Sequence, residues 1–211
     1  MSTSDSGRAP RLPREQRRQQ VLTAALEVFS TAGFHAASMD DIADRAGVSK
    51  PVLYQHFPGK LDLYLALLDA GIDELLVASN AALAGTSDNR LRVSAMTSAY
   101  FAFIEDPAGA FRLVFESDLA NEPAVRQRVD AADQAVARVI ARVIAEDTGL
   151  SDEQAMLLAS GLQGMTQVAA RRWLRDDSPA ISRDEAADLI SGLGWRGISG
   201  FPLTHPPQEQ A

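Results

Sequence analysis

Lys50, Val52, Tyr54 and Gln55 crowd one short stretch that reads as a polar helix. Their chemistry is recognition rather than turnover. A lysine ammonium can contact phosphate or guanine, a glutamine amide can address adenine, and a valine can press on a thymine methyl. Side chains of these types on one helix suit base edges in the major groove, which admits an α-helix N-terminus first. The tyrosine is equally suited to half-buried packing with its hydroxyl on one phosphate. Such chemistry needs the helix held at a set angle, so the flanking residues must supply a support.

Residues 38–60, SMDDIADRAGVSKPVLYQHFPGK, supply one. Ser38 with Asp41 forms an S-x-x-[DE] capping box ahead of an apolar run. Ile42, Ala43 and Ala46 then recur at helical spacing, so one face can bury. Gly47 ends that helix where a left-handed residue costs little. Val48 is an apolar plug, and Ser49 is an N-cap for the next helix. Pro51 falls in the first turn, where its missing N–H is not needed. Leu53 and Phe57, four apart, point inward. The pattern is a helix-turn-helix; spacing alone also permits a helix pair that only packs in a core.

Composition bounds the rest. The chain has 211 residues, 46% of them hydrophobic, enough for a substantial core. No apolar run reaches the roughly 18 residues that span a bilayer, and the N-terminal arginines precede no apolar signal segment. There is no cysteine, which excludes disulfides, thiolate metal sites and cysteine nucleophiles and favours a cytoplasmic protein. The net charge of -8 divides unevenly: residues 1–60 carry +2 and the remainder -10. That asymmetry fits a basic end facing DNA and an acidic body repelled by phosphate. An ordinary acidic protein with a basic tail would look the same.

The pattern along the chain is helical throughout, so the expected fold is all-α, with about nine helices. Residues 1–12 read as a flexible basic arm, 13–60 as a helix-turn-helix DNA-binding domain, 61–201 as a helical ligand-binding and dimerisation domain, and 202–211 as a disordered tail. A first helix runs from about Arg14 to Thr31 and stops at Gly33. Leu61, Leu65, Leu68, Ile72 and Leu75 stripe a connecting helix. Further helices are expected over 89–105, a short one near 108–117, then about 123–147, ended by Gly149. Ser151 with Gln154 and Ser182 with Glu185 make capping boxes for the last two.

The run MDDIADRAGVSKPVLYQHFPGKLDLYLALL, with Ala24-Ala25-Leu26-Glu27-Val28-Phe29 and Gly33-Phe34 upstream, resembles the DNA-binding domain of the TetR family of repressors. The resemblance covers about residues 14 to 70. It implies that Lys50, Pro51, Val52, Tyr54 and Gln55 touch bases or phosphates, that His56 is a structural or phosphate contact, and that Lys60 contacts phosphate. Arg17, Ser38, Met39 and Ser49 complete the implied contact set. Asp40 departs from it, because a carboxylate beside phosphates gives no attraction.

The resemblance further implies a homodimer joined by the last two long helices. Leu158, Gly161, Leu162, Met165 and Ala169 are the expected interface residues. It implies a pocket in the body for a small apolar or amphipathic effector, for which Met96, Tyr100, Phe103, Phe111, Phe115 and Gln167 are the candidates. The function that follows is a ligand-responsive repressor on a palindromic double-stranded operator, with no cofactor, metal or membrane partner. An enzyme finds no support: His35, His56 and His205 are scattered, and G-x-S-x-G and Walker motifs are missing. A helical module that only binds protein is the other rival, and the arginine arm argues against it.

Overall fold

The computed structural model describes residues 13–106, 119, 121–175 and 180–197. Among them lie eight helices: α1 (Arg14–Ala36), α2 (Met39–Ala46), α3 (Lys50–His56), α4 (Lys60–Ala84), α5 (Asn89–Glu105), α6 (Pro123–Thr148), α7 (Asp152–Leu174) and α8 (Arg183–Arg196). The all-α class is as expected. The expected arm, tail and short segment near 108–117, with Phe111 and Phe115, lie outside the described residues.

Local chemistry sets most boundaries. Ser38, Ser151 and Ser182 each accept the N–H three residues on, and Asp41, Gln154 and Glu185 return a bond to the serine N–H. Serine hydrogen bonds hold the Asp41 and Glu185 carboxyls below their ordinary range. A lowered native pKa contributes stability above the unfolded carboxylate range and loses it as pH falls through the native value. Gly47 (φ 62) turns the chain between α2 and α3, its N–H donating to the Ala43 and Asp44 carbonyls. Gly33 (φ 75, ψ 166) is non-helical and interrupts α1 where the first helix was expected to stop, a kink joining it to a last turn that ends at Ala36. One expectation needs amending. Ser49 occupies the α3 N-cap, but its side chain makes no capping bond.

The head has its own core. Ile42, Ala43 and Ala46 of α2 and Leu53 and Phe57 of the α3 region meet Val21, Leu22, Ala25 and Phe29 of α1. That core extends into α4 through Leu63, Tyr64, Leu67 and Leu68. The Tyr64 ring stands edge-on to Phe29 and Phe34, with centroids 5.6 and 5.3 Å away. At 25 residues, α4 is about 38 Å long. Its first half thus belongs to the head while Leu75 packs in a body cluster with α5, α7 and α8. In the body α6 lies along α7, and α5 along α8. Ala141, Ala155 and Ala159 are the small buried residues that let α6 and α7 approach closely.

Candidate nucleic-acid interface and the cavity behind it

The α3 helix buries one face and presents another. Leu53 is fully buried and Phe57 nearly so, which leaves Lys50, Pro51, Tyr54 and Gln55 exposed, with Val52 and His56 half-buried. Ser38 and Ser49 are exposed beside them, and Arg17 is half-buried. The neighbouring Arg18 guanidinium sits 4.4 Å over the Phe57 ring, an anchor that sequence reading missed. Met39 does not join this surface. It is buried with Ile42, Ala43 and Ala46, because positions 39, 42, 43 and 46 share the inward stripe of α2.

Asp40 has a specific partner. Its carboxylate takes the Lys50 ammonium at 2.7 Å, both side chains more than half exposed. The hydrogen bond and charge of Asp40 raise the Lys50 pKa. The Asp40 carboxylate of α2 therefore holds the Lys50 ammonium of α3. Asp40→Asn is expected to tighten binding to random-sequence DNA by about threefold to tenfold and to steepen its salt dependence, since one opposing charge per protomer is gone. Fluorescence anisotropy across a salt series checks this.

Lys60 is committed elsewhere. Its ammonium donates to the carbonyls of Phe34 (2.6 Å), His35 (3.3 Å) and Ala37 (2.8 Å) and lies 4.4 Å over the Phe34 ring. Three donors are all an ammonium has, so in this structure the lysine clamps the start of α4 to the α1–α2 connection. Lys60→Met is expected to cost about 2 kcal/mol of stability, because charged hydrogen bonds to partly buried carbonyls are lost. A lysine serving phosphate alone would leave the melting curve in place.

Behind the head, α4 to α8 enclose a cavity of about 400 Å³. Met96, Tyr100 and Gln167 line it as expected. Phe103 does not; it packs against the α5–α7–α8 cluster. Val136, Ile140, Val143 and Ile144 of α6 form a wall that sequence reading did not assign to a pocket. Arg92 and Asp147 also line it, paired at 3.3 Å.

The expected dimer residues divide between two faces. Leu158, Leu162 and Met165 line the cavity, although Leu158 stays half exposed. Ala169 is half-buried. Leu157 (75% exposed) and Val168 (61%) instead stand out on the surface of α7, on one stripe with the exposed Gly161 and with Gly164. A Cβ on either glycine would meet nothing within 4 Å, so this stripe is open to a second helix. Leu189 and Trp195 expose apolar surface on α8. The outward stripe is one residue out of register with the expected one.

A helical head presenting a polar helix, joined by α4 to a hollow helical body, defines a helix-turn-helix regulator. Comparison places it more closely. The family model for bacterial regulatory proteins of the tetR family matches residues 21–67. The chain is 47% identical over 197 residues to the transcriptional activator FasR of Mycolicibacterium smegmatis, covering 93% of this chain and 90% of that one. A TetR-like regulator from Rhodococcus sp. RHA1 superposes with TM-score 0.69 at 29% identity, over 90% of this chain and all of that one. FadR of Bacillus subtilis, solved with stearoyl-CoA, shares the fold at TM-score 0.72 and 18% identity, over 85% of this chain and 98% of that one.

The chain belongs to the TetR family of bacterial transcriptional regulators. Among the described residues, no cluster of His, Asp and Glu could hold a metal, and no helix is long and apolar enough to cross a membrane.

Proposed function

We propose that this regulator acts as a homodimer on a palindromic operator and that an elongated apolar or amphipathic effector in the body cavity alters its affinity. Two α3 helices about 34 Å apart would read successive major grooves on one DNA face, through Lys50, Tyr54 and Gln55 with Ser38, Ser49, Pro51, Val52, His56 and Arg17 around them. The α7 stripe of Leu157, Gly161, Gly164 and Val168 would join the two copies.

One observation carries the effector reading. The same α4 that contributes Leu63, Tyr64, Leu67 and Leu68 to the head core also contributes Leu75, Ser79 and Leu83 to the cavity wall. A ligand that prefers one tilt of α4 therefore prefers one placement of α3, and it shifts DNA affinity by that preference and no more. The apolar wall suits a fatty-acyl chain, and FadR of Bacillus subtilis, which shares this fold, was solved in complex with stearoyl-CoA. Repression is the outcome the sequence suggests; the 47% identical relative is named an activator, and we favour activation. The choice depends on where the operator lies relative to the promoter.

The test is binding to DNA from the chain's own upstream region, with and without stearoyl-CoA. A change in operator affinity with acyl-CoA, and none with free coenzyme A, is the expected result. Binding that ignores acyl-CoA at every concentration removes the effector from this reading, and no sequence-specific binding removes the rest.

A further inference from the structure

The cavity wall is apolar along most of its length, but its polar groups gather at two places. Arg92 and Tyr100 are eight residues apart on α5, about 12 Å along the axis; Asp147 and Asp133 are fourteen apart on α6, about 21 Å. At the first place the polar groups satisfy one another. Arg92 donates to the Leu83 and Thr86 carbonyls, to Asn89 Oδ1 and to Asp147 Oδ2, and Asn89 donates to the same carboxylate at 2.7 Å.

The second place is different. Asp133 Oδ1 accepts from Gln163 Nε2 at 2.9 Å and from Gln167 Nε2 at 2.7 Å. An ionised carboxylate only accepts, so it obliges both amides to turn their nitrogens toward it. The amide orientation is thus set by chemistry, and the carbonyl oxygens must face away. Gln163 lines the cavity, and its Oε1 is buried without a hydrogen-bond partner among the described residues. Native structures leave few such acceptors unmet, and each marks a site that something else can fill. Tyr100 lines the same region. Burial pushes its pKa up, with the charge of Arg171 opposing the rise and that of Asp133 adding to it, so its hydroxyl stays neutral at any physiological pH.

We propose that Gln163 Oε1 is an effector-reading acceptor, and that the ligand carries a neutral hydrogen-bond donor, a hydroxyl or an amide N–H, on its apolar chain. Asp133 is a positioning residue: it acts through the two glutamines. A carboxylate brought to this place would bring no donor to Gln163 and would face the Asp133 charge. A wholly hydrocarbon chain would leave the carbonyl unmet. The inference rests on the effector cavity proposed above and narrows what the cavity takes.

The test uses the full-length protein and three probes of equal chain length: 1-decanol, decyl methyl ether and decanoate. Binding is read by the change in tryptophan emission, to which Trp195 in the cavity wall contributes. The expected result is that the alcohol binds about tenfold or more tighter than the ether, which accepts but cannot donate, and tighter than decanoate. Gln163→Leu should abolish the preference while keeping affinity for the ether. Asp133→Asn, which lets the amides rotate, should weaken the preference in a protein with an unchanged helical content. Equal affinity for alcohol and ether overturns this inference and leaves the cavity reading standing. Failure of all three probes to bind overturns both. An alcohol preference that survives Gln163→Leu assigns the acceptor elsewhere and also overturns it.

Discussion

Replacing Leu157 and Val168 together by glutamate is expected to yield a folded monomer whose affinity for a two-half-site operator has fallen by about a hundredfold or more. Both side chains are more than half exposed, so the substitutions remove little internal contact, and surface changes of this kind leave stability nearly unaltered. Their cost falls on the second copy. Pairing two stripes of this kind would bury the four leucine and valine side chains against Gly161 and Gly164, and four carboxylates there would repel one another. DNA affinity falls with the dimer because binding of the second recognition helix becomes bimolecular, losing an effective-concentration gain on the order of a hundredfold to ten-thousandfold. Sedimentation velocity and a gel shift on full and half operators check it. A variant that remains dimeric with undiminished binding would place the interface on another face.

Alanine at Gln55 or at Lys50 is expected to cut operator affinity by about thirtyfold or more while the melting temperature stays put. A good base contact discriminates by about 1–3 kcal/mol, and a dimer makes it twice. Both side chains are exposed, so neither supports the fold. The Lys50 result carries a second effect, since its loss frees the Asp40 carboxylate beside the phosphates. Comparing Lys50→Ala with the Asp40→Asn, Lys50→Ala double variant separates the lost contact from the released charge. Leu53→Ala is the control for misassigned faces: a fully buried leucine should cost about 2–5 kcal/mol and lower DNA binding only by unfolding the head. A large melting shift in Gln55→Ala would mean that the two faces of α3 have been exchanged.

Where a residue's role is decided by its nearest neighbours in the chain, it was legible beforehand. Ser38, Ser151 and Ser182 cap as their spacing with Asp41, Gln154 and Glu185 implies. Leu53 and Phe57 are buried and Lys50, Tyr54 and Gln55 are exposed, because inward and outward faces of a short helix with one apolar stripe follow from its period. Met39 was misplaced for a neighbouring reason: it lies next to the capping serine but on the inward stripe. The connecting helix α4 is apolar on more than one face. Leu63, Tyr64 and Leu67 are buried while the expected Leu61, Leu65 and Ile72 are only half so.

The sequence by itself therefore determined the helical class, the helix ends and the polar face of α3, since capping, turn geometry and a single stripe are local effects acting over a few residues. Only the tertiary structure decided which of two apolar stripes on α7 faces the cavity and which faces outward. It alone brought Asp40 to Lys50, Lys60 to the carbonyls of the α1–α2 connection, and Gln163 and Gln167 to Asp133. The physical reason is the same in each case. A helix apolar on two sides, or a charge with several reachable partners, has no local preference, and the partner is chosen by elements that arrive from up to 34 residues away.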